Sequence, residues 1–462
     1  MTGRIPIFPL SQRRADGCDA TVALLLAALL LAALLSPGDA LAAAPGAPAG
    51  ARALTLEESL ALAAERSPSS LADRERLAQA QADDQVARAA LLPRVSGSAW
   101  VQELNEDRPS PLGAAPPGAA PALYGEEAFA GLRGKWVVFD GLRGWNAHAA
   151  AERGIDAARA AVSLGAADVR LAVTQAFYRL LAAQALTVVA EGAAARQRAF
   201  EELAVALADA GRGSRVDPLR ARAQRLDAER ALVAAREGER AAGAQLRRAV
   251  GLDGREPVWA SGALPEPAPP PDDAAEAALA GRLRASSPDL ARLDLQLAQA
   301  RAARRAAHGT WFPELSIQGT YGWRARDVGG NGVEWTAGAY AEWPLLEGGA
   351  GKGAADRAAA RVRELEAGRR ALALAIESDL QEALAAWRSA WAAAASTAES
   401  AEASRAALEA ATALYRAGRA GALDVLSAQL DLARAEAART QALADVAVAR
   451  ARTERLGGGS AG

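Results

Sequence analysis

Cysteine occurs once in 462 residues, at Cys18, and histidine twice, at His148 and His308. Cys18 precedes an apolar block at residues 22–35 and is expected to leave with it, so the mature chain carries no thiol. That excludes disulfides, thiolate metal sites and a lipid-bearing cysteine. Neither histidine has a spaced acidic or histidine partner in the Ala-rich text around it, which points to surface or packing roles and not to metal ligation. The formal charge of −2 gives no basic field for nucleic acid. Catalytic patterns are missing as well. Gly348-Gly349-Ala350-Gly351-Lys352 continues into Gly353 and not into the Ser or Thr of a phosphate loop, and no Ser or Cys nucleophile has a histidine companion. The expectation is a protein that is not an enzyme and needs no cofactor or metal.

What is present begins with an address. Arg13-Arg14 stand before the apolar block, and Ala40-Leu41-Ala42 and Ala43-Ala44 after it offer small-residue cleavage sites. The block is short for a membrane span and no stop-transfer pattern follows, so residues 1–44 read as a signal peptide and cleavage region.

The remainder is written twice. Gly141 of Phe139-Asp140-Gly141 stands 70 residues before Gly211 of Ala210-Gly211-Arg212, and Gly348 of Leu346-Glu347-Gly348 stands 70 before Gly418 of Ala417-Gly418-Arg419. Ser67-Pro68 precedes Leu92-Pro93 as Ser287-Pro288 precedes Phe312-Pro313, with 25 residues between the prolines in both copies. A true repeat keeps register wherever no loop is inserted. The first copy carries 13 extra residues, assigned to a Pro/Gly-rich loop within 105–125 because such text does not continue a helix or a central strand. Repeat 1 spans 54–252 and repeat 2 spans 274–456. A Pro-rich linker at 253–273 joins them and a flexible tail at 457–462 follows.

Each copy reads as helix, two short strands, then two long helices. Residues 143–210 hold no proline and are rich in Ala, Leu, Arg, Glu and Gln. Val173, Phe177 and Leu180 share a helical face and are matched by Leu380, Leu384 and Trp387. Such a helix spans on the order of 100 Å. The companion helices are expected at 216–250, 350–417 and 423–455. Strands are expected at about 94–104, 127–139, 314–325 and 332–345. In three of these, one parity is apolar, as in Leu315, Ile317, Gly319, Tyr321 and Trp323, and the other is largely polar; only residues 95–103 are blurred. Strands of about ten residues with this alternation and with Trp or Tyr near their ends suit a transmembrane β-barrel. Four strands cannot close one, so several chains must share it. A periplasmic coiled-coil adaptor or structural protein that does not span the membrane shares the leader and long helices and is the alternative.

The chain resembles the TolC-type outer-membrane efflux proteins. The resemblance rests on Leu54-Thr55-Leu56-Glu57-Glu58-Ser59-Leu60-Ala61-Leu62-Ala63 and the corners Val138-Phe139-Asp140-Gly141 and Pro344-Leu345-Leu346-Glu347-Gly348-Gly349. Tyr415-Arg416-Ala417-Gly418 running into Leu423-Asp424-Val425-Leu426-Ser427-Ala428-Gln429 is its most specific part. It implies a homotrimer in which each chain gives four strands to a 12-stranded barrel in outer-membrane lipid, continued by an α-helical tunnel through the periplasm. The function implied is a passive exit duct that docks on a periplasmic adaptor protein and an inner-membrane transporter. Gly141, Gly348 and Gly349 fall at the strand-to-helix corners. Asp217 and Asp424 each lie six residues after a tip glycine, where a carboxylate caps or charge-compensates the returning helix; by motif, Asp424 also falls where an acidic ring lines the closed end of the tunnel, and Asp217 and Tyr415 fall where a carboxylate and a phenol meet in a closing link. Ser427 stands where a second acidic ring is usual and Ala420 where an arginine is usual, which implies either a looser closed state or a substitute charge from Arg212, Arg215 or Arg419. Gly211, Arg212, Gly213, Ser214, Gly418, Arg419 and Ala420 map to the exposed tip that faces the adaptor.

Overall fold

A computed structural model describes residues 50–109, 123–326 and 331–457. The leader with Cys18, the centre of the 105–125 insertion and all but the first residue of the 457–462 tail lie outside them. In chain order the elements are β1 (Arg52–Leu54), α1 (Leu56–Arg66), α2 (Pro68–Ala89), β2 (Arg94–Pro109), β3 (Leu123–Phe139), α3 (Arg143–Asp209), α4 (Asp217–Val250) and β4 (Val258–Ala260). Repeat 2 adds α5 (Asp273–Ser286), α6 (Pro288–His308), β5 (Glu314–Arg326), β6 (Gly332–Glu342), α7 (Ala350–Arg416) and α8 (Ala422–Leu456).

Two expectations need correction. The 105–125 insertion is not all loop: β2 continues through Arg108 to Pro109 and β3 begins at Leu123. Proline is tolerated there because Pro109 is the terminal residue of β2, beyond the register irregularity between Glu103 and Arg108. The last strand stops at Glu342 and not near 345, because Pro344 cannot donate to a ladder.

Both α3 and α7 run 67 residues without a break. Two of the glycines inside α3 are points of close approach to other helices. A Cβ on Gly165 would lie 2.0 Å from the Asp73 carboxylate of α2, and one on Gly154 would lie 2.9 Å from Gln299 Nε2 of α6. Along its length α3 packs on α2 and α4 at one flank and on α6 and α8 at the other, whereas the principal helical contacts of α7 are with α6 and α8. The largest apolar cluster among the described residues sits where Val173, Phe177 and Leu180 of α3 meet Leu246 and Val250 of α4, Leu54 of β1 and Val258 and Ala260 of β4. In repeat 2, Ile376, Leu380 and Leu384 of α7 meet Leu283 and Leu290.

The four longer strands form one antiparallel sheet in the order β2-β3-β5-β6, leaving β2 and β6 as edges. Each hairpin is tied to the helix before it in the same way. Trp136 Nε1 donates to the Leu91 carbonyl at 3.1 Å, and Trp343 Nε1 donates to the Trp311 carbonyl at 3.2 Å. Sheet passes to long helix through two consecutive left-handed residues, Gly141 (φ 70°) and Leu142 (φ 63°) in repeat 1, and Gly348 (φ 60°) and Gly349 (φ 89°) in repeat 2. The repeat extends to side chains: Arg198 and Glu229 pair at 3.3 Å between α3 and α4, as Arg405 and Glu436 do between α7 and α8.

Candidate functional site

Two surfaces stand out, one on the sheet and one at the far end of the helices. On the sheet, the register places the apolar parities of all four strands on one face: Ala99, Ala130, Trp323 and Val333 form one row, and Gly97, Leu132, Tyr321 and Trp335 the next. This face is uncovered. Val95, Val101, Leu132, Ile317, Tyr321, Trp323, Val333 and Trp335 are all exposed, Trp335 by 72%. The other face carries Ser316, Gly322 and Phe129, which are buried, and a cluster that crosses all four strands. In that cluster the Arg324 guanidinium lies 5.7 Å from the Trp100 ring and 5.4 Å from the Phe129 ring, and pairs with Glu127 and with Glu334 at 3.0 Å. A sheet built for water buries its apolar side; this one presents it outward, the arrangement that hydrocarbon solvent favours. The exposed apolar rows argue against the reading of a coiled-coil protein that crosses no membrane.

At the far end, both long helices stop in equivalent turns. Gly211 (φ 70°) and Gly418 (φ 71°) take the left-handed cap conformation. The amides of Arg212 and Arg419 return to the carbonyls of Leu207 and Leu414, each at 2.9 Å. Across these turns the hydroxyl of Tyr415, at the end of α7, donates to Asp217 Oδ2, at the start of α4, at 3.3 Å. Tyr415 is buried, its ring centroid 5.2 Å from that of Phe200. Burial first, and the neighbouring Asp217 charge and hydrogen bond second, raise the Tyr415 pKa above its ordinary 10.0, so the phenol remains a donor at neutral pH.

The structure thus brings Tyr415 and Asp217 together and keeps Asp424 and Ser427 apart from them. Asp424 Oδ2 accepts from the Gly421 amide at 2.9 Å, a capping contact in the first turn of α8, and Ser427 Oγ donates to the Asp424 carbonyl at 3.0 Å. Both side chains are exposed. Of the tip residues, Gly211, Arg212, Ser214, Gly418 and Arg419 are exposed and Gly213 and Ala420 half-buried. Arg212, Arg215 and Arg419 make no ion pair among the described residues, so none replaces the arginine absent at Ala420 within the chain.

Sequence reasoning missed Phe200, which seats Tyr415, because an aromatic at helical spacing looks like any other core residue. It also missed the surroundings of His148: Nδ1 lies 3.0 Å from Asp84 Oδ1 and Nε2 lies 3.7 Å from Glu152. Asp84 arrives from α2, 64 residues upstream, and Glu152 was in view four residues on. Among the described residues, no group of His, Cys, Asp and Glu is arranged to hold a metal.

Residues 279–459 match the family model described as outer membrane efflux protein. No curated protein matches the chain. Among solved structures, it is similar to the outer-membrane channel OprN, with 21% identity, TM-score 0.72, and 88% of this chain and 90% of that one covered. The Campylobacter jejuni CmeC outer membrane channel matches with 16% identity, TM-score 0.75, and coverage of 87% and 86%. The open state of the Neisseria gonorrhoeae MtrE outer membrane channel matches with 21% identity, TM-score 0.71, and coverage of 87% and 89%. At these identities the likeness establishes the fold.

Proposed function

We propose that this chain belongs to the outer membrane efflux proteins and serves as the exit channel of an efflux or type I secretion system, passing substrates across the outer membrane. The observation that carries this reading is the uncovered apolar face of a four-stranded sheet joined to helices of on the order of 100 Å. Lipid tolerates no open sheet edge, and four strands are too few to close a barrel. Three copies would supply twelve strands, and the unoccupied flanks of α4 and α7 would meet between copies in a continuous helical wall. The wall would extend into the periplasm, where the tips meet an adaptor fed by an inner-membrane transporter. No catalytic step is assigned, because a passive duct needs none.

Within this reading the Tyr415–Asp217 contact holds the tip closed. One such hydrogen bond contributes about 0.5–1.5 kcal/mol, more when the acceptor is charged, and a trimer has three. The test is made in planar bilayers. The protein should fractionate with outer membrane and, once purified, form pores, and Tyr415→Phe with Asp217→Ala should raise single-channel conductance. Equal conductance in a folded trimer would remove the pair from the gate; a soluble monomer without pores would end the channel reading.

A further inference from the structure

The internal repeat specifies how the two open edges of the sheet are closed. The second hairpin strand of repeat 1, β3, corresponds to β6 at an offset of 207, and the first strand of repeat 2, β5, corresponds to β2 at an offset of 220. The two tryptophan contacts obey both offsets, since Trp136 maps onto Trp343 and Leu91 onto Trp311. Within the chain β3 is flanked by β2 and β5. Its counterpart β6 has β5 on one side and nothing on the other. The strand that stands to β6 as β5 stands to β3 is β2, and β2 is the other open edge.

The observed β3–β5 ladder can therefore be transferred to the missing one. Gly134 opposite Gly319 becomes Ala341 opposite Ala99, and Lys135 opposite Gln318 becomes Glu342 opposite Ser98. The ion pair that joins β3 to β5, Lys135 Nζ to Glu314 Oε1 at 2.9 Å, becomes Glu342 to Arg94 with its signs reversed. Opposite charges have replaced opposite charges. Neither Arg94 nor Glu342 has an ion-pair partner among the described residues, and both are exposed on the polar face of the sheet. A second observation falls in the same place: Ser98 Oγ is buried and without a hydrogen-bond partner in the chain, and the transferred register sets it opposite Glu342.

We propose that Glu342 of one copy pairs with Arg94 of the next and that β6 and β2 join in this register, Ala341 beside Ala99. The occupant of each sheet edge is thereby a second copy of this chain. The inference rests on the trimeric reading above and deepens it.

The test uses the full-length protein in detergent. Arg94→Glu or Glu342→Arg places like charges at each junction and should lower the SDS-resistant trimer at least threefold, and the two together should restore it. A parallel variant replaces Cys18 with Ser and introduces Ala99→Cys and Ala341→Cys. Under oxidation it should give disulfide-linked oligomers, and Ala99→Cys with Ala339→Cys should give at least fivefold fewer. Trimers indifferent to both reversals, or crosslinked better through position 339, overturn this register and leave the trimer standing. A wild-type chain that does not self-associate overturns the trimeric reading itself.

Discussion

Leu142 is the single described residue other than glycine with a positive φ, 63°, and its counterpart in repeat 2 is Gly349. A left-handed conformation costs an L-residue about 1–2 kcal/mol, partly offset in a glycine variant by the entropy of the unfolded chain. Leu142→Gly should therefore stabilise the protein by up to ~1 kcal/mol, read as a later unfolding midpoint in urea. The glycines at 141, 348 and 349 advertise the turn in the sequence; the leucine conceals it, and the repeat reveals it only after alignment. Tyr415 carries a prediction of the same scale. Its pKa is raised, so its hydrogen bond to Asp217 is fully present below the ordinary tyrosine value of 10.0 and is lost as pH climbs through the higher folded value. Conductance governed by this residue should be level from neutral pH toward 10 and rise beyond it, and Tyr415→Phe should abolish the rise. The phenol was legible through its motif, while the ring of Phe200 beneath it was not, because the pairing joins residues of different helices.

Among the elements, the long helices show why propensity and packing must be separated. Alanine exceeds glycine in a helix interior by about 0.8–1.0 kcal/mol. At Gly238 of α4 an added Cβ meets nothing within 4 Å, so Gly238→Ala should stabilise by roughly that amount. At Gly165 the same change sets a methyl 2.0 Å from Asp73 Oδ2 and 3.1 Å from its Cγ, so the carboxylate must turn aside and part of the propensity gain is lost. Gly165→Ala should thus stabilise less than Gly238→Ala, and thermal unfolding of the two variants would separate the cases. Proline-free text made the existence of these helices legible, since nothing in it could interrupt them. Strand faces were legible where alternation was clean. The blur at residues 95–103 arises because Trp100 lies on the otherwise polar face, stacked with Phe129 at 6.0 Å under Arg324. Hydropathy counts that tryptophan on the wrong side. Contact geometry is beyond a one-dimensional pattern.

For the whole molecule, the duplication supplies what neither residue nor element can. In the proposed trimer, each interface inside the chain, α3 with α8 or β3 with β5, is a template for one between chains, α7 with α4 or β6 with β2. The exposed Leu414 of α7 and Leu219 of α4 are the repeat counterparts of Leu207 of α3 and Leu426 of α8, which share one apolar cluster within the chain. The uncovered apolar face has a consequence for the order of biogenesis. A lone sheet entering hydrocarbon would carry two rows of unbonded amides and carbonyls, each group costing several kcal/mol. In the proposed trimer, sisters must accordingly meet before the bilayer is crossed, so the yield of inserted pores should climb more steeply than linearly as the concentration of newly exported chains increases.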